Sequence, residues 1–155
     1  MAKVELDKKE VVRILNRILE MELAGVVRYE HYSLMVYGHA RIPIVAWLRG
    51  EAMKSMAHAQ KAGELVTHFG EHPSLSIGPL LETHRHAIDE ILREALDHER
   101  ATLELYRELL KVAEGHSVML EEYARGMIHA EELDAGEVDK MLRKPGAVAA
   151  FSPHS

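Results

Sequence analysis

The chain has 155 residues, enough for one domain with a sizeable core, and no cysteine, which excludes disulfides and thiolate metal sites. Its net charge of −6 and the absence of a basic stripe speak against nucleic-acid binding. No apolar run approaches the roughly 20 residues of a membrane span, and no N-terminal stretch reads basic then apolar like a signal peptide. The chain is therefore expected to be soluble and cytoplasmic.

Leu, Ala, Glu, Arg and Met dominate, which favours helix throughout. A first helix is predicted over 7–37, opened by Asp7 with Glu10 three residues on, a capping-box pattern. "GHARIP" (38–43) breaks it, and Pro43 suits the first position of a second helix over 43–69. "FGEHPSLSIGP" (69–79) is a long connection to a third helix over 82–113. "EGHS" (114–117) is a short turn, and Ser117 caps a fourth helix over 117–143. "KPG" (144–146) stops that helix, leaving a tail over 144–155.

Long helices joined by short turns imply an all-α, antiparallel four-helix bundle over residues 1–143. The link between the second and third helices is the exception. A dozen residues at about 3.3 Å each span roughly 40 Å, the length of a helix of about 27 residues at 1.5 Å each. A crossover along the whole bundle is within reach.

Each helix carries an inward stripe at spacings of three and four. The first is Val11, Leu15, Ile18, Glu22, Gly25, Tyr29. The second is Ile44, Leu48, Glu51, Ser55, His58, Ala62, Leu65. The third is Ile88, Leu92, Ala95, Glu99, Thr102, Tyr106, Leu109. The fourth is Leu120, Ala124, Met127, Glu131, Asp134, Val138, Met141. In every stripe the polar break falls near the middle. A buried carboxylate without a partner is costly, and several together repel one another. A pair of divalent metal ions is the economical reason for such a layer.

The chain also divides into similar halves. Adding 76 takes Ser55 to Glu131 and His58 to Asp134, and adding 77 takes Glu22 to Glu99. Each half is one helix with a lone acid and one with a pair at i, i+3. That is the plan of dinuclear carboxylate bundles, in which two helices each give a Glu and two each give Glu-x-x-His.

"LNRILEMELAGVVRYEHYS", "EAMKSMAHAQKAGELVTHFGEHP", "LREALDHERATLELYREL" and "MIHAEELDAGEVDKML" follow in the order and spacing of one family. The chain resembles the ferritin-like superfamily, most closely bacterioferritin, over about residues 10–145. The resemblance implies metal ligands at Glu22, His58, Glu99, Glu131 and Asp134. Two positions depart from it. Ser55 stands where the family has a carboxylate, and Asp134 where it has an imidazole. The balance shifts toward oxygen donors, which favours manganese or weaker iron binding. Glu51, one turn before Ser55, is the candidate to compensate.

Met56 matches the family's haem-binding methionine at a two-fold dimer interface. Methionine also fills gaps in ordinary cores and interfaces. The tail "AVAAFSPHS" is too short, and too near a proline, for the family's fifth helix. A dimer or another homo-oligomer is therefore expected in place of a closed cage.

The implied function is dinuclear iron binding with ferroxidase activity, in iron storage or detoxification, with Tyr29 as donor of a further electron. The alternatives are oxygen- or peroxide-dependent dimetal chemistry, and a degenerate bundle serving as a structural or interaction module. "THRHAIDE" (83–90) and the scattered histidines suggest no role.

Overall fold

The structure, a computed structural model, describes residues 5–154. Four helices follow one another: α1 (Lys8–Met35), α2 (Arg41–His68), α3 (Ile88–Ala113) and α4 (Val118–Leu142). No helix is long and apolar enough to cross a membrane among the described residues.

The helix starts are set by local chemistry. Asp7 accepts a hydrogen bond from the Glu10 amide at 3.1 Å, and Ser117 accepts one from the Leu120 amide at 3.3 Å. Each satisfies one of the orphan amides of a first turn. The capping box is half made, because the Glu10 carboxylate turns to Arg13 instead. Pro43 is the third residue of α2 rather than the first. It is still within the turn whose amides have no intrahelical partner, so the ring costs no hydrogen bond.

The third helix begins at Ile88, six residues later than the predicted 82. Residues 82–86 form no helix and are held instead by contacts to α1 and α3. The Thr83 hydroxyl donates to Glu94 at 2.7 Å, and the His86 ring meets the Met35 carbonyl at 2.8 Å.

The connection over 69–87 runs the length of α1. The Ser74 amide donates to Asn16 at 2.8 Å, the Gly78 amide to the Glu20 carbonyl at 2.8 Å, and Arg28 to the Pro79 carbonyl at 2.7 Å. It ends beside Met35, at the far end of the bundle. Consequently α2 and α3 run in one direction, while α1 and α4 run in the other.

Gly78 seats this strap. A Cβ there would lie 2.9 Å from Met21 Sδ and 3.2 Å from the Glu20 carbonyl oxygen. The methionine end can move, but the backbone cannot. Gly78→Val is expected to lift the strap from α1, costing about 1–2 kcal/mol. The check is faster proteolytic cleavage within 70–82 together with a lower denaturant midpoint.

Most residues of the predicted stripes are buried, with Ile44, His58, Leu65, Ile88, Asp134 and Met141 partly so, and they divide into three layers. At one end Val11, Leu15, Ala62, Val66, Tyr106 and Leu120 belong to one apolar core. At the other, Tyr29, Tyr32, Val45, Leu48 and Ile91 form a second, continued by Leu92, Leu96, Ala135 and Val138. Between them lie Glu22, Glu51, Ser55, Glu99 and Glu131, each no more than 6% exposed. α1 packs closely on α2 and α3, and α3 on α4. The seam between α2 and α4 is wide, with no Cα atoms within 8 Å of each other across it.

Residues 144–154 form no helix and fold back on the bundle. Phe151 packs beside Leu92, Leu96 and Val138, and the Arg100 guanidinium lies 5.7 Å from its ring centre.

Candidate metal centre

The polar layer exists because the helical period brings one acid from each helix to the same height. Glu22 comes from α1, Glu51 and His58 from α2, Glu99 from α3, and Glu131 and Asp134 from α4.

Three of these side chains converge. His58 Nδ1 lies 3.0 Å from Glu131 Oε1 and 3.5 Å from Glu22 Oε1. Each offers a ligand atom within 4.8 Å of the others, and no other group of three does so among the described residues. Ligands about 2.0–2.2 Å from a shared ion lie no more than about 4.4 Å apart, so small adjustments would close a first coordination shell. Glu131 Oε2 is buried with no hydrogen-bond partner. A bare buried carboxylate oxygen beside an imidazole and a second carboxylate suits a divalent cation.

The neighbours of these candidate ligands are specific. The Tyr106 hydroxyl donates to Glu22 Oε1 at 2.9 Å. The Tyr29 hydroxyl donates to Glu99 Oε1, and its ring stands edge-on to Trp47. Both tyrosines are fully buried, so each fixes one carboxylate from the apolar side of the layer.

Electrostatics follow from burial. Desolvation raises Glu22, against hydrogen bonding to His58. Glu99 is pushed well above the ordinary carboxylate value, first by burial and then by the Glu131 charge alongside. Burial raises Glu131 as well, against hydrogen bonds to Glu99 and His58. For His58, burial alone would disfavour the cation. The carboxylates of Glu131 and Glu22 outweigh it and raise the imidazole to about 10. In the metal-free chain His58 is therefore a cation among acids. It could serve as a metal ligand only after losing that proton.

Glu51 and Asp134 are engaged elsewhere. Lys54 Nζ lies 2.9 Å from Glu51 Oε1 and 3.2 Å from Asp134 Oδ1, bridging the wide α2–α4 seam. Glu51 thus meets an ammonium rather than the Glu22–His58–Glu131 cluster. Burial raises Glu51, and Lys54 opposes the shift.

Ser55 does not face the carboxylates alone. A Cβ on Gly25 would sit 2.9 Å from its Oγ and 3.1 Å from His98 Nε2. Gly25 therefore lets α1 and α2 close upon Ser55, with the imidazole of α3 alongside. His98 is buried, its Nδ1 has no hydrogen-bond partner, and burial together with Arg28 lowers it to about 4. Met56 lies outside this layer. It is 40% exposed and lines an open cleft with Leu19, Leu23 and Gln60.

Sequence reading missed Lys54, Tyr106 and His98. Tyr106 was in the third stripe, but nothing in its spacing named Glu22 as its partner. Lys54 and His98 each precede a stripe residue by one position. On a helical wheel that places them at the edge of the inner face, where a polar residue looks solvated.

The family described as Ferritin-like domain matches residues 12–146. A bacterioferritin of Desulfovibrio desulfuricans is 32% identical over 109 residues, covering 68% of this chain and 58% of that protein. A bacterial non-heme ferritin of Escherichia coli is 26% identical over 106 residues, covering 68% of this chain and 64% of its own length. The matches thus span less than two thirds of these relatives.

Among solved structures, a ferritin-like, diiron-carboxylate protein from Bacillus anthracis superposes with a TM-score of 0.84 at 23% identity. The superposition covers 90% of this chain and 100% of that one. The bacterioferritin of Rhodobacter capsulatus superposes with a TM-score of 0.75 at 22% identity, over 90% and 86% of the two chains. These likenesses establish the fold. With four helices, a strap between the second and third, and a family match covering most of its length, the chain belongs to the ferritin-like domain family.

Proposed function

We propose that this chain binds iron between its helices and oxidises Fe(II), in iron storage or detoxification. The observation that carries the reading is the Glu22–His58–Glu131 cluster with its unpartnered Glu131 oxygen. Iron is the substrate here. Each Fe(II) gives up one electron, and dioxygen or peroxide accepts it.

The chain's own groups prepare that step. Glu22 and Glu131 supply anionic oxygens that stabilise the higher charge of Fe(III). His58 supplies a nitrogen once its proton leaves. Tyr106 and Tyr29 hold Glu22 and Glu99 by hydrogen bonds and keep their carboxylates from rotating away. In this reading Tyr29, whose hydroxyl donates to Glu99, gives a further electron. A bundle without a metal role would gain stability by replacing these acids with apolar residues, since buried charges are often worth less than good packing.

The relatives support the reading by their names, bacterioferritin and non-heme ferritin. Haem enters it only through Met56, as a group shared between two chains paired on that exposed face. Such a pair would be the homo-oligomer, in a cytoplasmic protein.

The test is Fe(II) addition in air, followed by Fe(III) absorbance. The unsubstituted chain is expected to oxidise Fe(II) at least about tenfold faster than Glu22→Ala or His58→Ala. Equal rates in all three would overturn the reading.

A further inference from the structure

We propose that the Lys54 ammonium stands in for a second metal ion, so that the chain holds one divalent ion tightly rather than two. The inference rests on the metal-binding reading above and specifies its stoichiometry.

The half-chain repeat implies two metal positions, and the structure treats them unequally. The first has three ligand atoms within 4.8 Å of one another and a bare carboxylate oxygen. The second would draw on Glu99, Asp134, the carboxylate that the family has at position 55 and the compensating Glu51. Ser55 has no carboxylate, and its Oγ lies against Gly25 and His98. Of the three acids that remain, Glu51 and Asp134 are joined through one lysine nitrogen at 2.9 and 3.2 Å.

Charge accounts for the arrangement. Glu51 is buried on α2 and Asp134 is partly buried on α4, facing it across the wide seam. Two carboxylates so placed repel unless a cation lies between them. A metal ion could be that cation, but the lysine already provides one, covalently tethered and hence at high effective concentration. A divalent ion entering there must displace an ammonium hydrogen-bonded to both acids. It would then find a hydroxyl rather than a carboxylate at Ser55. The ammonium is also retractable, because the Lys54 side chain is 52% exposed and carried on a flexible four-carbon stem.

The test uses Co(II) without oxygen, counted by native mass spectrometry and by titration of its visible bands. The unsubstituted chain is expected to take one equivalent, with a second at least about tenfold weaker. Lys54→Met, similar in length but uncharged, is expected to take two, and Lys54→Arg, which keeps the charge, one. Two equivalents of equal affinity in the unsubstituted chain would overturn the proposal, even if Lys54→Met failed to fold. So would a folded Lys54→Met that stays at one. If the unsubstituted chain binds no more Co(II) than Glu22→Ala, the metal reading itself fails, and the stoichiometry falls with it.

Discussion

Glu99→Gln is expected to make the metal-free protein more stable at pH 7 by about 1–3 kcal/mol. Glu99 is 6% exposed, and its one neutral donor is the Tyr29 hydroxyl. A neutral hydrogen bond contributes about 1 kcal/mol, whereas burying a carboxylate costs several. The acid therefore keeps its proton in the folded chain at pH values where the unfolded chain releases it. The folded state then binds more protons than the unfolded one, and stability falls as pH rises above the ordinary value of 4.5. Glutamine escapes this loss and still accepts from Tyr29. Its advantage should thus grow from near zero at about pH 4.5 toward neutrality. Urea denaturation of the metal-free protein across that range is the measurement, and an advantage that does not change with pH would refute the account. Co(II) binding at the Glu22–His58–Glu131 cluster should survive the substitution, since Glu99 is not among the three side chains that converge there.

The second large effect is proton release on metal binding. At pH 7 each ion taken up should release at least one proton, from His58, which is raised to about 10 before metal arrives. Affinity should then rise about tenfold per pH unit for each proton released. Calorimetry in buffers of differing ionisation heat counts the protons directly. His58→Ala should remove the imidazole's share of this release and weaken binding by at least about a hundredfold. The same imidazole affects metal-free stability with the opposite pH sense. Its contribution is full below about 6.5, its unfolded value, and declines as pH rises toward about 10. A bound metal would thus replace, at high pH, the internal cation that deprotonation of His58 removes.

Much of this architecture was legible from the order of residues. The stripe positions Glu22, Glu51, Ser55, Glu99 and Glu131 are all buried, because a 3.6-residue period is a local property that packing had only to accept. The caps at Asp7 and Ser117 were equally local. The crossover was foreseeable from chain length alone, though its last residues, 82–86, looked helical until their bonds to Met35 and Glu94 were visible. The depletion at Ser55 could be read from the family resemblance. The response to that depletion could not.

By itself, then, the sequence determined that four helices would each bring a polar residue to one central layer, and that this layer would contain more acid than base. The tertiary structure decided how that excess is divided. His58 turns its Nδ1 to Glu22 and Glu131, Tyr106 and Tyr29 each choose one carboxylate, and Lys54 reaches across the α2–α4 seam to Glu51 and Asp134. The physical reason is range. Periodicity places a Cα on a face, but the partner of a long polar side chain depends on the spacing between helices far apart in the chain. At the α2–α4 seam that spacing is wide enough to admit an ammonium.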